Sequence, residues 1–336
     1  MSLQLLSRAA CALVGALALV QPAAAQGSQI RFGTTVQPGH PISQGATKFG
    51  ELVSAKTGGK LKSKEFAASA LGSEAQQISA MQGGVQEMMT PATTALTGLV
   101  KEFGLIDFPF TIANEKQADA LLDGPFGKAL LDTLPAKGLV GLAFWENGFR
   151  QMTNNRGPIQ KADDVKGLKI RVQGNPVFIE TFKAIGTNPV PMAFAELYSA
   201  LETRAVDAQE NPFANILASK LYEVQKFATV SNHAYSTVIV LVSKKYWDKL
   251  AAPEQAALRA AAIEAGVEQR KASRAYAAQA RADLEQKGLK INELPGAERD
   301  KLRDTVKPVL DKLSADYDPK LVKLYNDELK RVQALK

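Results

Sequence analysis

The chain has very little of the chemistry that metal sites and covalent catalysis require. Its 336 residues include one cysteine, Cys11, and two histidines, His40 and His233. Two histidines so far apart in the sequence give no compact metal-ligand spacing. The motifs of a nucleophile elbow, a phosphate loop and a dinucleotide-binding turn (G-x-S-x-G, G-x-x-x-x-G-K-[ST] and G-x-G-x-x-G) are also missing. The sequence therefore predicts no cofactor, no metal ion and no activated nucleophile.

The sequence also has no apolar run long enough to cross a bilayer as a mature helix. Residues 9–20 form a short apolar run that follows Arg8 and precedes Ala23-Ala24-Ala25, a pattern typical of a signal peptide with a small-residue cleavage site. We expect residues 1–25 to be a signal peptide that is cleaved near Ala25. A membrane anchor is the first alternative, but no second apolar run follows. A lipoprotein signal at Cys11 is the second, but Cys11 precedes most of the apolar run.

Charge of one sign is only mildly in excess. The formal net charge is +7, and it becomes +6 when Arg8 is removed with the signal peptide. Basic residues are spread along the chain without a long cluster, which argues against nucleic acid as a partner. Without Cys11 the mature chain has no disulfide, so we expect a packed core to stabilise it.

The distribution of apolar residues predicts an α/β protein. Strand signals at residues 29–34 and 61–66 alternate with helix signals at 42–56 and after Ser73, a rhythm that favours a parallel, helix-covered sheet. Further elements follow, and residues 253–287 predict one long helix or a broken pair. No flexible linker separates two halves, so we expect two lobes joined by several crossing segments. Strands are expected at 139–145, 168–172, 206–209, 227–230, 237–242 and 288–292, and helices after Asn175-Pro176 and at 196–202, 297–313 and 319–335.

Two arginines and one asparagine stand near the ends of strand-like segments. Arg171 and Arg150 each end such a segment, and Asn211 precedes Pro212 after another. Ligands of open α/β sheets bind beyond the carboxyl ends of strands, and an arginine fork binds a carboxylate bidentately. These residues therefore predict a pocket for a small organic acid. The alternatives are a solvated edge-strand arginine at 171, an arginine stacked on aromatic neighbours at 150, and a turn asparagine at 211.

Four other residues are candidates for the same pocket. Phe194 is either a pocket wall or part of the core. His233 follows the strand-like segment 227–230 and is either a ligand contact or a structural hydrogen-bonding residue. Gln37 and His40 lie in a loop after the first strand, where a mobile surface loop is the alternative.

Several segments in order resemble the solute-binding proteins of tripartite ATP-independent periplasmic (TRAP) transporters. The resemblance extends over about residues 30–250. Its most specific motifs are residues 145–150 (WENGFR), 167–172 (GLKIRV), 191–198 (PMAFAELY) and 209–212 (QENP). Within that family the chain looks closest to the binders of C4-dicarboxylates, on the segments 103–110 (FGLIDFPF), 175–178 (NPVF) and 222–226 (YEVQK).

The resemblance implies a two-lobed α/β periplasmic binding protein fold with a hinge and a long helix spanning both lobes. We expect residues 26–148 and 237–276 in lobe 1, and residues 149–236 and 277–336 in lobe 2. Arg171 is expected to form the main salt bridge to the ligand carboxylate and Arg150 a second contact. The remaining cleft residues implied are Phe194, Asn211 and His233, with Gln37 and His40 from the other lobe.

The predicted function is that of a periplasmic, monomeric receptor that captures a small organic acid and delivers it to a TRAP membrane permease. Succinate, malate or fumarate is the first expectation, and a sugar acid, hydroxy acid or aromatic acid is the alternative. An exported enzyme acting on a carboxylate is the rival from another class. It requires a general base, for which His233 and Glu146 are the candidates. A sensor role beside a membrane kinase is a third possibility.

Overall fold

The computed structural model describes residues 28–335, so the predicted signal peptide and its cleavage near Ala25 lie outside the described residues. Two β-sheets organise this part of the chain. The first has five strands in the order β2 (Leu61–Phe66), β1 (Ser28–Thr34), β3 (Met88–Thr90), β10 (Tyr235–Ser243) and β4 (Leu139–Phe149). The second has six strands in the order β11 (Lys290–Glu293), β9 (Phe227–Val230), β5 (Gln151–Asn154), β8 (Ala208–Asn211), β6 (Lys169–Val172) and β7 (Asn188–Pro191).

Helices cover both sheets. They are α1 (Pro41–Lys56), α2 (Glu74–Gly83), α3 (Glu115–Leu122), α4 (Pro125–Leu131), α5 (Pro176–Ala184), α6 (Leu197–Glu202), α7 (Phe213–Ala218), α8 (Lys244–Trp247), α9 (Ala252–Gln286), α10 (Gly296–Ala315) and α11 (Pro319–Gln333). The predicted α/β class with two lobes and a long helix is confirmed. The parallel pairing expected of the opening segments is found between β1 and β2 and between β1 and β3, whereas β10 runs antiparallel to both β3 and β4.

Local sequence signals explain where several helices begin and end. Ser73 and Gln76 form a capping box at the start of α2, and Gly84, with φ of 79°, ends that helix in the left-handed region. Asn175 accepts a hydrogen bond from the Val177 N–H at 2.7 Å and so caps α5. Helix α5 therefore begins four residues after β6, the strand that carries Arg171.

The chain passes between the two sheets through several segments. Strand β4 of the first sheet and β5 of the second are separated by Arg150 alone, and residues 231–234 return from β9 to β10. Helix α9 has 35 residues and packs on α1 and β4 with one half and on α7 with the other. It therefore spans both lobes, as predicted.

The C-terminal helix departs from the predicted division into lobes. That division placed residues 277–336 in lobe 2, but α11 packs against α3 and α4, which precede residue 148. The Tyr325 ring lies 5.1 Å from the Phe126 ring and 6.0 Å from the Phe108 ring, and its side chain is buried. Burial of this aromatic side chain stabilises the contact by about 2 kcal/mol or more. We therefore group α11 with the first sheet.

Candidate ligand-binding site

Arg150 lies where two crossing segments meet. Its backbone N–H donates to the carbonyl of Ala234 at 2.9 Å, and its own carbonyl accepts from the Ser231 hydroxyl at 3.4 Å. The chain leaves the first sheet at Phe149 and enters the second at Gln151, so the Arg150 side chain is fixed between the two sheets. It is completely buried.

The guanidinium of Arg150 is paired within the protein. Its Nε donates to Oε2 of Glu210, and its Nη2 donates to Oε1 of Glu210 at 2.9 Å. Asn211 Oδ1 accepts from Nη2 at 3.1 Å, and the Ser236 hydroxyl accepts from Nη1 at 3.1 Å. Because Glu210 is also fully buried, the two charges neutralise each other away from water. The charge of Arg150 is therefore compensated before any ligand arrives.

His233 supports this ion pair from the second crossing segment. Its Nε2 lies 3.1 Å from Glu210 Oε2, and its Nδ1 lies 2.8 Å from the Ser231 hydroxyl. A carboxylate only accepts, so Nε2 donates to Glu210. Burial alone would raise the pKa of Glu210, but the charge of Arg150 and the hydrogen bonds from His233 and Arg150 hold that pKa below its ordinary value. The structure thus brings Asn211 and His233 together with Arg150, as partners of the pair.

Arg171 has a different environment. It is 2 % exposed, and its Nε and Nη2 donate to the carbonyl of Met192 at 3.0 and 2.7 Å. Within residues 28–335 no carboxylate forms an ion pair with Arg171, and its buried Nη1 has no hydrogen-bond partner. Burial lowers the pKa of Arg171 to about 10, which still leaves it protonated at neutral pH. Arg171 is a buried cation without a neutralising partner in the described chain, and such a cation favours an anionic ligand.

A cavity of about 320 Å³ opens on Arg171 between the two lobes. Phe194 forms part of its wall, with the ring centroid 5.9 Å from Arg171 Cζ. The other side chains with polar groups in the lining are Thr35, Ser69, Ser73, Glu74, Thr94 and Gln173. Four of these come from the chain before residue 90, so both lobes contribute. The structure therefore places Arg171 and Phe194 together in one cleft, where sequence reasoning expected them.

Gln37 and His40, the two candidates from the loop after β1, lie in different environments. Gln37 is exposed and lines a second cavity of about 590 Å³, which shares Phe194 with the first. His40 is buried and lines neither cavity. Its Nδ1 accepts from the Ile42 N–H at 3.2 Å, and its Nε2 lies 3.0 Å from Asn215 Oδ1 on α7. The expectation of His40 as a cleft residue does not match this placement; His40 joins α1 of the first lobe to α7 of the second.

His40 makes the stability of the protein depend on pH. Burial lowers its pKa to about 4 from 6.5. Its contribution to stability is fully present above pH 6.5 and is lost as the pH falls through 4, because the unfolded chain takes up the proton first. The loss amounts to about 3 kcal/mol. We expect the free energy of unfolding of the wild type to approach that of His40→Asn between pH 7 and 4, measured by urea denaturation. A difference that stays constant with pH would contradict this assignment.

Three acidic residues of the site were not singled out by sequence reasoning. Glu210 lies within the motif of residues 209–212 (QENP), of which only Asn211 was predicted to contact the ligand. Asp107 is buried and accepts from Asn175 Nδ2 at 2.6 Å, and burial raises its pKa well above the ordinary range. A single carboxylate in the apolar segment 103–110 was an available signal for it. Glu74 resembles an ordinary first-turn acid of a helix, so nothing in the sequence marked it.

The described residues give no support to other classes of site. No group of three or more histidines, cysteines or acidic residues in this part of the chain could hold a metal ion. No described helix is long and apolar enough to cross a membrane. Both candidates for a general base are occupied, since His233 bonds to Glu210 and Glu146 Oε2 accepts from Arg274 Nε at 2.8 Å.

Comparison with known proteins identifies the family. The profile of the bacterial extracellular solute-binding proteins, family 7 (DctP), matches residues 32–316. This chain is a TRAP solute-binding protein of that family. As such it is a transport receptor and not an enzyme, it binds small organic acids, and it works with a membrane permease. The family is periplasmic. That the chain acts as a monomer and binds no nucleic acid remain predictions.

Individual TRAP solute-binding proteins similar to this chain have different ligands in their names. The 2,3-diketo-L-gulonate-binding periplasmic protein YiaO of Escherichia coli (strain K12) is 40 % identical over 77 % of this chain and 79 % of its own length. The C4-dicarboxylate-binding periplasmic protein DctP of Rhodobacter capsulatus is 40 % identical over 75 % of this chain and 77 % of its own. The sugar acid binding protein DctPAm of Advenella mimigardefordensis, solved with galactonate, is 43 % identical with a TM-score of 0.89, covering 91 % of this chain and 99 % of its own.

Proposed function

We propose that this receptor binds the carboxylate of a small organic acid directly on Arg171. The observation that supports the proposal is the buried Nη1 of Arg171, which has no hydrogen-bond partner within residues 28–335. A ligand carboxylate on Nη1 satisfies that donor and neutralises the charge. A hydrogen bond between charged groups contributes roughly 1.5–3 kcal/mol, and more where water is excluded.

Arg150 has a supporting part in the proposed binding. Its Nε and Nη2 are used by Glu210 and Asn211, so only Nη1, which also donates to Ser236, has a second N–H to offer. Arg171 is thus the main fork of the proposal, as the sequence led us to expect, and the second contact expected from Arg150 is limited to its Nη1. The Arg150–Glu210 pair fixes the crossing segments against which the ligand is held.

The proposed ligand has a carboxylate at one end and reaches into a polar cleft. A sugar acid is one candidate, supported by the relatives that bind 2,3-diketo-L-gulonate and galactonate. A C4-dicarboxylate is the second candidate, supported by the Rhodobacter capsulatus relative. Closure of the two lobes about their crossing segments would bury either ligand between them, and the permease would recognise the closed form.

Thermal unfolding with a panel of organic acids tests this proposal. A ligand that binds only the folded state stabilises it by about 2.7 kcal/mol at a concentration 100 times its Kd. We expect at least one sugar acid or dicarboxylate to raise the Tm and to bind with one-to-one stoichiometry in calorimetry. NMR of the bound acid over hours is expected to show no turnover. If no acid of the panel shifts the Tm, the proposal fails.

A further inference from the structure

Glu74 places a second charged group in the cavity of Arg171. It is the first residue of α2, and its Oε1 accepts from the Ala92 N–H at 2.7 Å, so its carboxylate is held in place. Within the described chain Oε2 forms no hydrogen bond, and Glu74 forms no ion pair. Burial raises its pKa, whereas the hydrogen bond from the Ala92 N–H and the charges of Arg171 and Arg150 act against that rise. Glu74 belongs to the first lobe and Arg171 to the second, so the two face the same ligand from opposite sides.

The cavity lining offers a single cation to which a ligand carboxylate can bind. Glu210 already neutralises Arg150. Arg150 does not line the cavity, so Arg171 is the one cation of that lining, and Glu74 is its one acid. A second carboxylate on the ligand finds no further cation in this lining and would face the carboxylate of Glu74. Like charges brought together in a water-poor site are strongly unfavourable.

The cavity lining has more hydrogen-bond acceptors than donors without a partner. The lining offers one buried donor without a partner, Arg171 Nη1, and a buried acceptor without a partner, Gln173 Oε1. Glu74 Oε2 is a further acceptor. Hydroxyl groups donate to such acceptors, whereas an ionised carboxylate only accepts. A ligand that complements all three atoms has a single carboxylate and several hydroxyls.

We propose that Glu74 makes this receptor select hydroxylated monocarboxylates and reject dicarboxylates. The inference rests on the proposed binding of a carboxylate to Arg171, and it names Glu74 as the specificity-determining residue. Ligand hydroxyls donate to Glu74 Oε2 and Gln173 Oε1 while the carboxylate binds Arg171. A dicarboxylate loses those hydrogen bonds and suffers the repulsion.

The test is a cycle that changes one charge on the protein and one on the ligand. Succinate and its monoamide, succinamate, have nearly the same shape but differ by one negative charge. We expect calorimetry on the wild type to give at least about tenfold tighter binding of succinamate than of succinate. Glu74→Gln keeps the hydrogen bond to Ala92. In this variant the ratio of the succinamate and succinate affinities is expected to fall to within about threefold of unity, and the binding of galactonate is expected to weaken.

Two controls make the outcome specific to Glu74. Glu74→Asp keeps the charge and should retain the preference for the monoanion. Glu65→Gln removes a charge from another partly buried carboxylate of the same lobe, which accepts from Thr34 and Ser43 and does not line the cavity. It should leave the ratio unchanged.

The opposite results overturn the inference. If the wild type binds succinate as tightly as succinamate, Glu74 does not reject a second carboxylate, and this holds even if Glu74→Gln fails to fold. A ratio that Glu74→Gln leaves unchanged leads to the same conclusion. Failure of the underlying function is distinct, because the wild type would then bind none of the three acids.

Discussion

Arg171→Ala is expected to lose organic-acid binding almost completely while the protein stays folded. Truncating one partner of a buried, hydrogen-bonded charge pair costs about 2–5 kcal/mol. The Kd should therefore rise by roughly 30-fold to several thousand-fold. The fold should survive, because the guanidinium of Arg171 makes its protein hydrogen bonds to a single carbonyl, that of Met192. Calorimetry with the best ligand of the thermal screen measures the effect.

Two further variants sharpen the interpretation of Arg171. Arg156→Ala removes the same charge from an exposed position of the same lobe and should leave the Kd within about twofold. Arg171→Lys keeps the charge but loses the planar fork, so it should recover only part of the affinity. Equal affinity in Arg171→Ala and the wild type would exclude a salt bridge at this position.

Glu210→Gln is expected to destabilise the protein more than any surface substitution. It leaves the Arg150 guanidinium buried without a neutralising charge, and breaking a buried pair in this way costs about 3–5 kcal/mol. Glutamine still offers one oxygen to Arg150 or His233, so the lower end of that range applies. A decrease of roughly 6–12 °C in Tm should be seen by circular dichroism.

The matched control for Glu210 is Glu202→Gln, which removes a charge from an exposed residue of the same lobe. It should change the Tm by no more than about 2 °C. The double variant Arg150→Met/Glu210→Gln should be less destabilised than the sum of its single changes, because each single change leaves an unpaired partner. Additive effects would show that the two side chains do not stabilise each other.

The elements of this fold were largely predictable because their signals are local. Ser73 and Asn175 are helix caps at positions readable from the sequence, and both are confirmed. Strand β7 was missed because it contains Pro189 and Pro191 and reads as a loop. Prolines are tolerated at the edge of a sheet, and β7 is the edge strand of the second sheet. Its presence converts β6, the strand of Arg171, from a possible edge strand into an interior one.

The partners within the site were not predictable, because they meet only through the tertiary fold. Arg150 and Glu210 are sixty positions apart, and the antiparallel register of β5 and β8 brings them together. The sequence pointed to both arginines but gave no sign that one already has an acidic partner. The same applies to His40, whose bond to Asn215 depends on where the tertiary fold places α7. Sequence pattern therefore located the cleft, while the roles within it depend on contacts between distant segments.

We expect helix α9 to limit how far the two lobes can separate. Its first half is buried against the first sheet through Ala261, Ala262 and Ala265, and its second half against the other lobe through Ala280 and Leu284. A continuous helix attached to both lobes resists their separation, because opening must either bend the helix or slide it along one of these contacts. Small side chains permit such sliding with little steric cost, but the stiffness of α9 limits how far the lobes can move apart. The width to which the cleft opens, and with it the size of the largest ligand that can enter, is thus expected to depend on α9 and not on the residues at the entrance of the cleft.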